Sequence, residues 1–156
     1  MIGSFMDNHD LPRFNSLTSD KSLSYNALTF TILNGGIPTV YYGTEQDISD
    51  GKGDPSNREA LWLYNDFSTT ASPSYARIAS LNKIRSTLAK NPAFVNSVVT
   101  AVTEQANDTA LARGGALIVL TNVRSHSPRV LELTRDYIAR RIWYWVMEDC
   151  ELHVFC

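Results

Sequence analysis

Residues 34–46 read NGGIPTVYYGTEQ, and this stretch decides the fold. Ile37 to Tyr42 is a continuous apolar run ended by Gly43. A strand solvated on one face alternates polar and apolar residues. An unbroken run is the pattern of a strand buried on both faces, as in a parallel sheet. Asn34-Gly35-Gly36 ahead of it stops a helix, because glycine accepts the left-handed conformation that closes one. The helix it stops is predicted over Thr18 to Gly35. Ser19 or Asp20 caps it, and Leu23, Ala27, Phe30 and Leu33 or Asn34 recur at helical spacing. Further upstream, Ile2 to Met6 predicts a short buried strand running into a polar cluster. Downstream, Pro73 sits where a second helix begins. Its apolar stripe is Ile78, Leu81, Ile84 and Leu88, and Asn91-Pro92 ends it.

Residues 44–72 are polar, rich in turn formers and long for a connection inside a domain; loops of that length are usually functional. After Pro92 the character changes. FVNSVVTAV, TALAR, ALIVLTNV and RVLELT are short and β-rich, and Gly114-Gly115 between two of them is a strong hairpin signal. The expected organisation is α/β: strand–helix–strand–helix over residues 1–91, then an antiparallel β domain over 92–156. From about residue 136, RDYIARRIWYWV departs from ordinary strand alternation. Trp143 to Val146 predicts a strand that places Trp143 and Trp145 on one face. Such a pair serves either as core or as a platform for stacking sugars.

The 156 residues suffice for one domain or parts of two, and 44% apolar content allows a real core. Net charge is −2, with no basic stripe to recommend nucleic acid as a partner. No apolar run approaches the roughly 20 residues that span a bilayer. The N-terminus MIGSFMDNHD has neither the basic region nor the long apolar region of a signal peptide. Cys150 and Cys156 with His153 between them fall short of a zinc ligand set; they are free thiols or disulfide halves. Asn107-Asp108-Thr109 is a glycosylation sequon, compatible with secretion.

Three motifs carry the chemistry: FMDNHDLPRF (5–14), LNGGIPTVYYGTEQ (33–46) and GDPSNREALW (53–62). In order and spacing they resemble the closing third of the catalytic barrel of α-amylases, glycoside hydrolase family 13, and most of all the fungal secreted type. The resemblance covers residues 1 to about 91 well, and 92 to about 125 loosely. It implies the last two strand–helix units of a (β/α)8 TIM barrel, followed by the start of an antiparallel C-terminal β-sandwich. Catalytic groups of such barrels sit at the carboxyl ends of the strands, where FMDNHD and YYGTEQ fall.

By that resemblance, Asp10 is the third carboxylate of the family's site, a transition-state stabiliser gripping ring hydroxyls. His9 hydrogen-bonds the same sugar, and Asp54 and Arg58 bind its hydroxyls. The residues alone leave plainer readings open: Asp10 as the cap of a turn through DLP, and Asp54 with Arg58 as a surface salt bridge one helical turn apart. Tyr41 and Tyr42 are expected to pack at the strand end. Asp47, Asp50 and Asp54 with their glycines look like an acidic calcium loop, but the spacing does not fit an EF-hand. No metal site is therefore expected in this chain, and calcium belongs to the parent family.

A retaining glycosidase needs a nucleophile and an acid/base about 5–5.5 Å apart. In the family these are an Asp in a Gly-Phe-Arg-Ile-Asp-like motif and a following Glu, and neither motif occurs here. The expectation is a C-terminal fragment of an α-glucan hydrolase, inactive alone, from an extracellular, monomeric parent. The alternatives are a non-catalytic starch-binding remnant using Trp143 and Trp145, and a fragment of a related α-glucosidase or transglycosylase.

Overall fold

The computed structural model describes residues 2–64 and 72–122, together with the backbone of two strands at 143–148 and 151–155. The chain divides into two units, Met1–Arg85 and Ser86–Cys156. In the first unit, strands β1 (Gly3–Phe5) and β2 (Ile37–Thr39) pair in parallel, with Gly3 opposite Ile37, Ser4 opposite Pro38 and Phe5 opposite Thr39. Helix α1 (Phe14–Leu17) and helix α2 (Lys21–Leu33) lie between them in sequence, and helix α3 (Pro73–Leu88) follows. Parallel strands need such a crossover, because a tight turn cannot return the chain in the same direction.

Side chains of a strand alternate between faces. Ser4 faces α2, where its hydroxyl donates to the Thr31 carbonyl at 3.0 Å. The opposite face carries Gly3, Phe5, Ile37 and Thr39, all exposed. The pairing is shorter than the apolar run predicted: β2 ends at Thr39, and Val40 to Tyr42 continue without a ladder partner among the described residues.

Helix α2 begins at Asp20, whose carboxylate accepts the Ser22 N–H at 2.9 Å. This satisfies one of the donors that every helix start leaves open. At the other end Arg85 of α3 reaches across and donates to the carbonyls of Ile32, Asn34 and Gly36, doing for the helix C-terminus what a basic residue of its own last turn would do. The predicted face of α2 was rotated. Its buried residues are Ser24, Tyr25, Leu28, Thr29, Thr31, Ile32 and Leu33, while Phe30 is exposed. The reason is that its polar residues are self-satisfied: the Thr29 hydroxyl donates to the Tyr25 carbonyl at 2.7 Å, so threonine enters the core without loss. In α3 the predicted stripe is the buried one, centred on Leu81 and Ile84.

In the second unit Asn91-Pro92 does not merely close a helix; it opens another. Helix α4 (Pro92–Asn96) has proline in its first turn, and the Asn91 side chain accepts the Ala93 N–H at 2.9 Å. Strands β3 (Thr100–Glu104), β4 (Asp108–Arg113) and β5 (Ala116–Thr121) form an antiparallel meander. Gly114 and Gly115 turn the β4–β5 hairpin with φ of 51° and 89°, values that L side chains rarely adopt. Ala110, Leu117 and Val119 form its core, and the Arg113 guanidinium lies 4.1 Å over the Phe94 ring.

Strand β6 (Trp143–Glu148) pairs in parallel with β5, and β7 (Glu151–Phe155) pairs antiparallel with β6. The sheet is thus not antiparallel throughout. The chain between β5 and β6 exceeds the dozen or so residues a parallel crossover requires. RVLELT, Cys150 and Cys156, and the side chains of Trp143 and Trp145, lie outside the described residues. Among the described residues no helix is long and apolar enough to cross a membrane.

Candidate active site

The polar cluster that follows β1 is built outward from Asp7. This residue is buried, and its carboxylate accepts the Phe14 N–H at 3.1 Å and the Thr44 hydroxyl at 3.5 Å. It therefore ties the start of α1 to the segment after β2. Burial pushes its carboxyl above the ordinary value, with the Phe14 hydrogen bond and the nearby Arg13 charge pulling partly back.

Asn8 then folds back on its own chain. Its Oδ1 accepts the N–H of Asp10 at 2.8 Å and of Leu11 at 2.9 Å. This side-chain turn is the local reason His9 and Asp10 protrude. His9 Nε2 lies 3.3 Å from Asp10 Oδ2, and both side chains are more than 60% exposed.

The loop carrying GDPSNREALW packs against that turn. Arg58 Nη2 lies 2.8 Å from Asp54 Oδ1 and 3.7 Å from Asp10 Oδ1, while its Nε donates to the His9 carbonyl at 3.3 Å. The four residues singled out by sequence, His9, Asp10, Asp54 and Arg58, are thus brought together on one exposed surface. Exposed ion pairs of this kind contribute at most about 1 kcal/mol to stability. The cluster therefore presents charge and hydrogen-bonding groups to solvent more than it holds the fold.

What holds the fold lies behind it, in residues the sequence reading did not single out. Asn57, fully buried, donates from Nδ2 to the carbonyls of Asn8 at 3.1 Å and Leu11 at 2.6 Å. Arg13 is equally buried. Its Nε donates to Glu59 Oε2 at 2.7 Å and its Nη1 to the Tyr42 carbonyl at 2.7 Å. Its guanidinium stacks 4.7 Å over Tyr41 and 5.0 Å over Tyr42.

The two tyrosines meet edge to face with centroids 4.6 Å apart. Tyr42 donates its hydroxyl to the Glu59 carbonyl at 3.0 Å. Both pack at the strand end as expected, and burial raises the Tyr41 phenol. The Arg13 N–H donates to the Gly51 carbonyl at 2.9 Å, and a side chain on Gly51 would strike the Asn57 backbone. Only the motif strings themselves contained a signal for Arg13, Asn57 and Glu59.

The acidic loop does not gather its carboxylates. Asp47 accepts from Lys21 Nζ and from the hydroxyls of Ser72 and Ser74, each at 2.6 Å, capping α3 from outside it. Burial alone would raise its carboxyl, but these hydrogen bonds outweigh that and hold it below its ordinary value. Asp50 accepts the Tyr64 hydroxyl at 2.7 Å, and this bond, with burial, pushes the phenol up to about 12. Asp54 is engaged by Arg58. Three carboxylates with three separate tasks do not fit a calcium site. No group of three or more metal-ligating residues occurs among the described residues. A cleft of about 430 Å³ lined in part by Val40, Tyr42, Glu45, Tyr75 and Ile78 lies in the same unit and includes none of the four site residues.

No family model matches the chain. Individual relatives do. α-Amylase 1 of Lipomyces kononenkoae is 58% identical over 85 residues, covering 54% of this chain and 13% of the relative. The α-amylase of Saccharomycopsis fibuligera is 40% identical over 128 residues, covering 80% and 25%. Among solved structures, an α-amylase from Malbranchea cinnamomea superimposes with a TM-score of 0.71 at 44% identity, covering 77% of this chain and 25% of that one. An α-amylase from Geobacillus thermoleovorans, solved with acarbose, does so with 0.58 at 30% identity over 72% and 24%. The chain belongs to the α-amylase family of glycoside hydrolases, and it spans a quarter or less of the length of each of these relatives.

Proposed function

We propose that this chain is the C-terminal part of an α-amylase that cleaves α-1,4-glucosidic bonds in starch or glycogen with retention. Residues 1–91 then supply the last two strand–helix units of the (β/α)8 barrel, and residues 92–156 the beginning of the C-terminal β domain. His9, Asp10, Asp54 and Arg58 hold one glucose ring beside the scissile bond. The observation that carries this reading is Arg58, which bridges Asp54 and Asp10 while it donates to the His9 carbonyl.

In this reading Asp10 is the transition-state stabiliser. As the ring flattens toward an oxocarbenium-like geometry, its hydroxyls shift against fixed acceptors. A carboxylate placed for the flattened ring lowers the barrier instead of merely tightening binding. Arg58 and Asp54 fix the carboxylate's position from the side, and His9 adds a hydrogen bond to the same sugar. The nucleophile and the acid/base are absent from these 156 residues, so the chain alone binds α-glucan but does not hydrolyse it. The parent enzyme is extracellular and monomeric and takes its calcium through other parts of the family fold.

The test is a titration of the chain with maltoheptaose, followed by amide and imidazole NMR shifts. The expected result is saturable shifts at His9, Asp10 and Arg58, lost in Arg58→Ala, with no reducing sugar released from soluble starch. Shifts confined to other residues, or hydrolysis by the chain alone, overturn the reading.

A further inference from the structure

We propose that Asn57 is a positioning residue of the sugar site: its carboxamide fixes the turn that presents His9 and Asp10. The inference rests on the sugar-site reading above and extends it to a residue that touches no sugar. The turn Asn8–Leu11 has two ends, and Asn57 Nδ2 donates to a carbonyl at each, Asn8 at 3.1 Å and Leu11 at 2.6 Å. A primary amide nitrogen carries two hydrogens, so one atom serves both acceptors. Swapping the amide would aim its oxygen at two carbonyl oxygens, so the assignment of nitrogen and oxygen is fixed by its surroundings.

The same turn is held from within by Asn8 Oδ1, which accepts the Asp10 and Leu11 N–H groups. The Asn8 side chain therefore sets the turn's shape and Asn57 sets its place on the protein. Asn57 is itself enclosed: it is 0% exposed, and its own N–H donates to the Gly53 carbonyl at 3.0 Å. Arg58, next in sequence, makes the ion pairs to Asp54 and Asp10. One short segment thus anchors the turn through a buried residue and addresses its exposed carboxylate through the following one. A flexible Asp10 would lose the orientation on which transition-state contacts depend.

The experiment compares the full chain with Asn57→Ala, which deletes both donors, and Asn57→Ser, which keeps one. Two readouts are taken: hydrogen exchange at the Asp10 and Leu11 amides, with α2 amides as the internal standard, and the maltoheptaose titration. The expected result in Asn57→Ala is exchange faster by about 10-fold or more at Asp10 and Leu11. Protection in α2 is unchanged, sugar-induced shifts at Asp10 are lost, and Asn57→Ser falls between. Turn protection equal to that of the parent chain in both variants overturns the inference. So does a uniform loss of protection through α2 in both, which marks Asn57 as a general core residue. Absence of sugar-induced shifts in the parent chain overturns the sugar-site reading instead, and the exchange data still decide whether Asn57 anchors the turn.

Discussion

Arg13 offers the most direct test of how the site is supported. Arg13 and Glu59 have side chains only 1% and 8% exposed, and they meet at 2.7 Å. Arg13→Met keeps most of the apolar stem but strands the Glu59 carboxylate. Breaking a buried pair by removing one partner costs about 3–5 kcal/mol. Loss of stacking on Tyr41 and Tyr42 adds about 0.5–1 kcal/mol for each ring. The sum, about 4–7 kcal/mol, overlaps the lower end of the whole stability of a domain, about 5–15 kcal/mol.

The double variant Arg13→Met with Glu59→Leu removes the stranded charge, and replacing a buried pair by apolar residues is often nearly neutral. The assay is urea unfolding followed by the helical far-UV signal, which reports chiefly the first unit because α2 and α3 lie there. With a slope of about 1–3 kcal/mol per molar urea, Arg13→Met shifts the midpoint down by at least 1 M, and the double variant recovers most of it. Equal midpoints for the single and double variants, or a shift worth less than about 1 kcal/mol in Arg13→Met, refute the reasoning.

The two unusual carboxyls predict pH dependences of opposite sign. Asp47 is held below its ordinary value of 3.8, so its stabilisation is present above that pH and lost as pH falls through the folded pKa. Asp47→Asn therefore lowers Tm at neutral pH, and its curve converges on the parent's in acid. Asp7 is raised above 3.8, so its penalty is present above the folded pKa and relieved as pH falls toward the unfolded value. Asp7→Asn raises Tm at neutral pH, and the gain shrinks on acidification. In the second unit, Gly114→Val forces φ of 51° on a branched residue against the Phe94 backbone. It costs about 1–3 kcal/mol or more, whereas Gly115→Asn costs less because nothing lies within 4 Å of its Cβ position. Thermal unfolding of the two variants, compared by exchange in β4 and β5, checks the order.

The sequence displayed what is local. Asp20 and Asn34-Gly35-Gly36 bracket α2, Pro73 opens α3, and Gly114-Gly115 turns the hairpin, each by a preference of one or two residues. It hid what depends on partners distant along the chain. Asn57 meets Asn8 and Leu11 at separations of 49 and 46 residues, and no periodicity records such a meeting. Arg13 in DLPRF has the look of an ordinary surface cation, and its burial is explained by partners far along the chain, the Glu59 carboxylate, the Tyr42 carbonyl and the two tyrosine rings. The misread face of α2 has the same origin, since Ser24, Thr29 and Thr31 are buried as satisfied polar groups that a hydrophobic pattern does not count. His9, Asp10, Asp54 and Arg58 are singled out only by the family resemblance of their motifs, and the structure brings these four candidates close together.

One feature of the first unit bears on its response to temperature. In these 156 residues taken alone, the sheet face bearing Phe5 and Ile37 is open to water, each side chain about half exposed. Unfolding exposes that surface little further, and the heat-capacity increment of unfolding scales with newly hydrated apolar area. The increment per residue therefore falls below the ordinary 12–15 cal/mol/K or so of a closed domain. For a given midpoint and enthalpy of unfolding, the curve of stability against temperature becomes flatter, and stability changes more slowly on either side of its maximum.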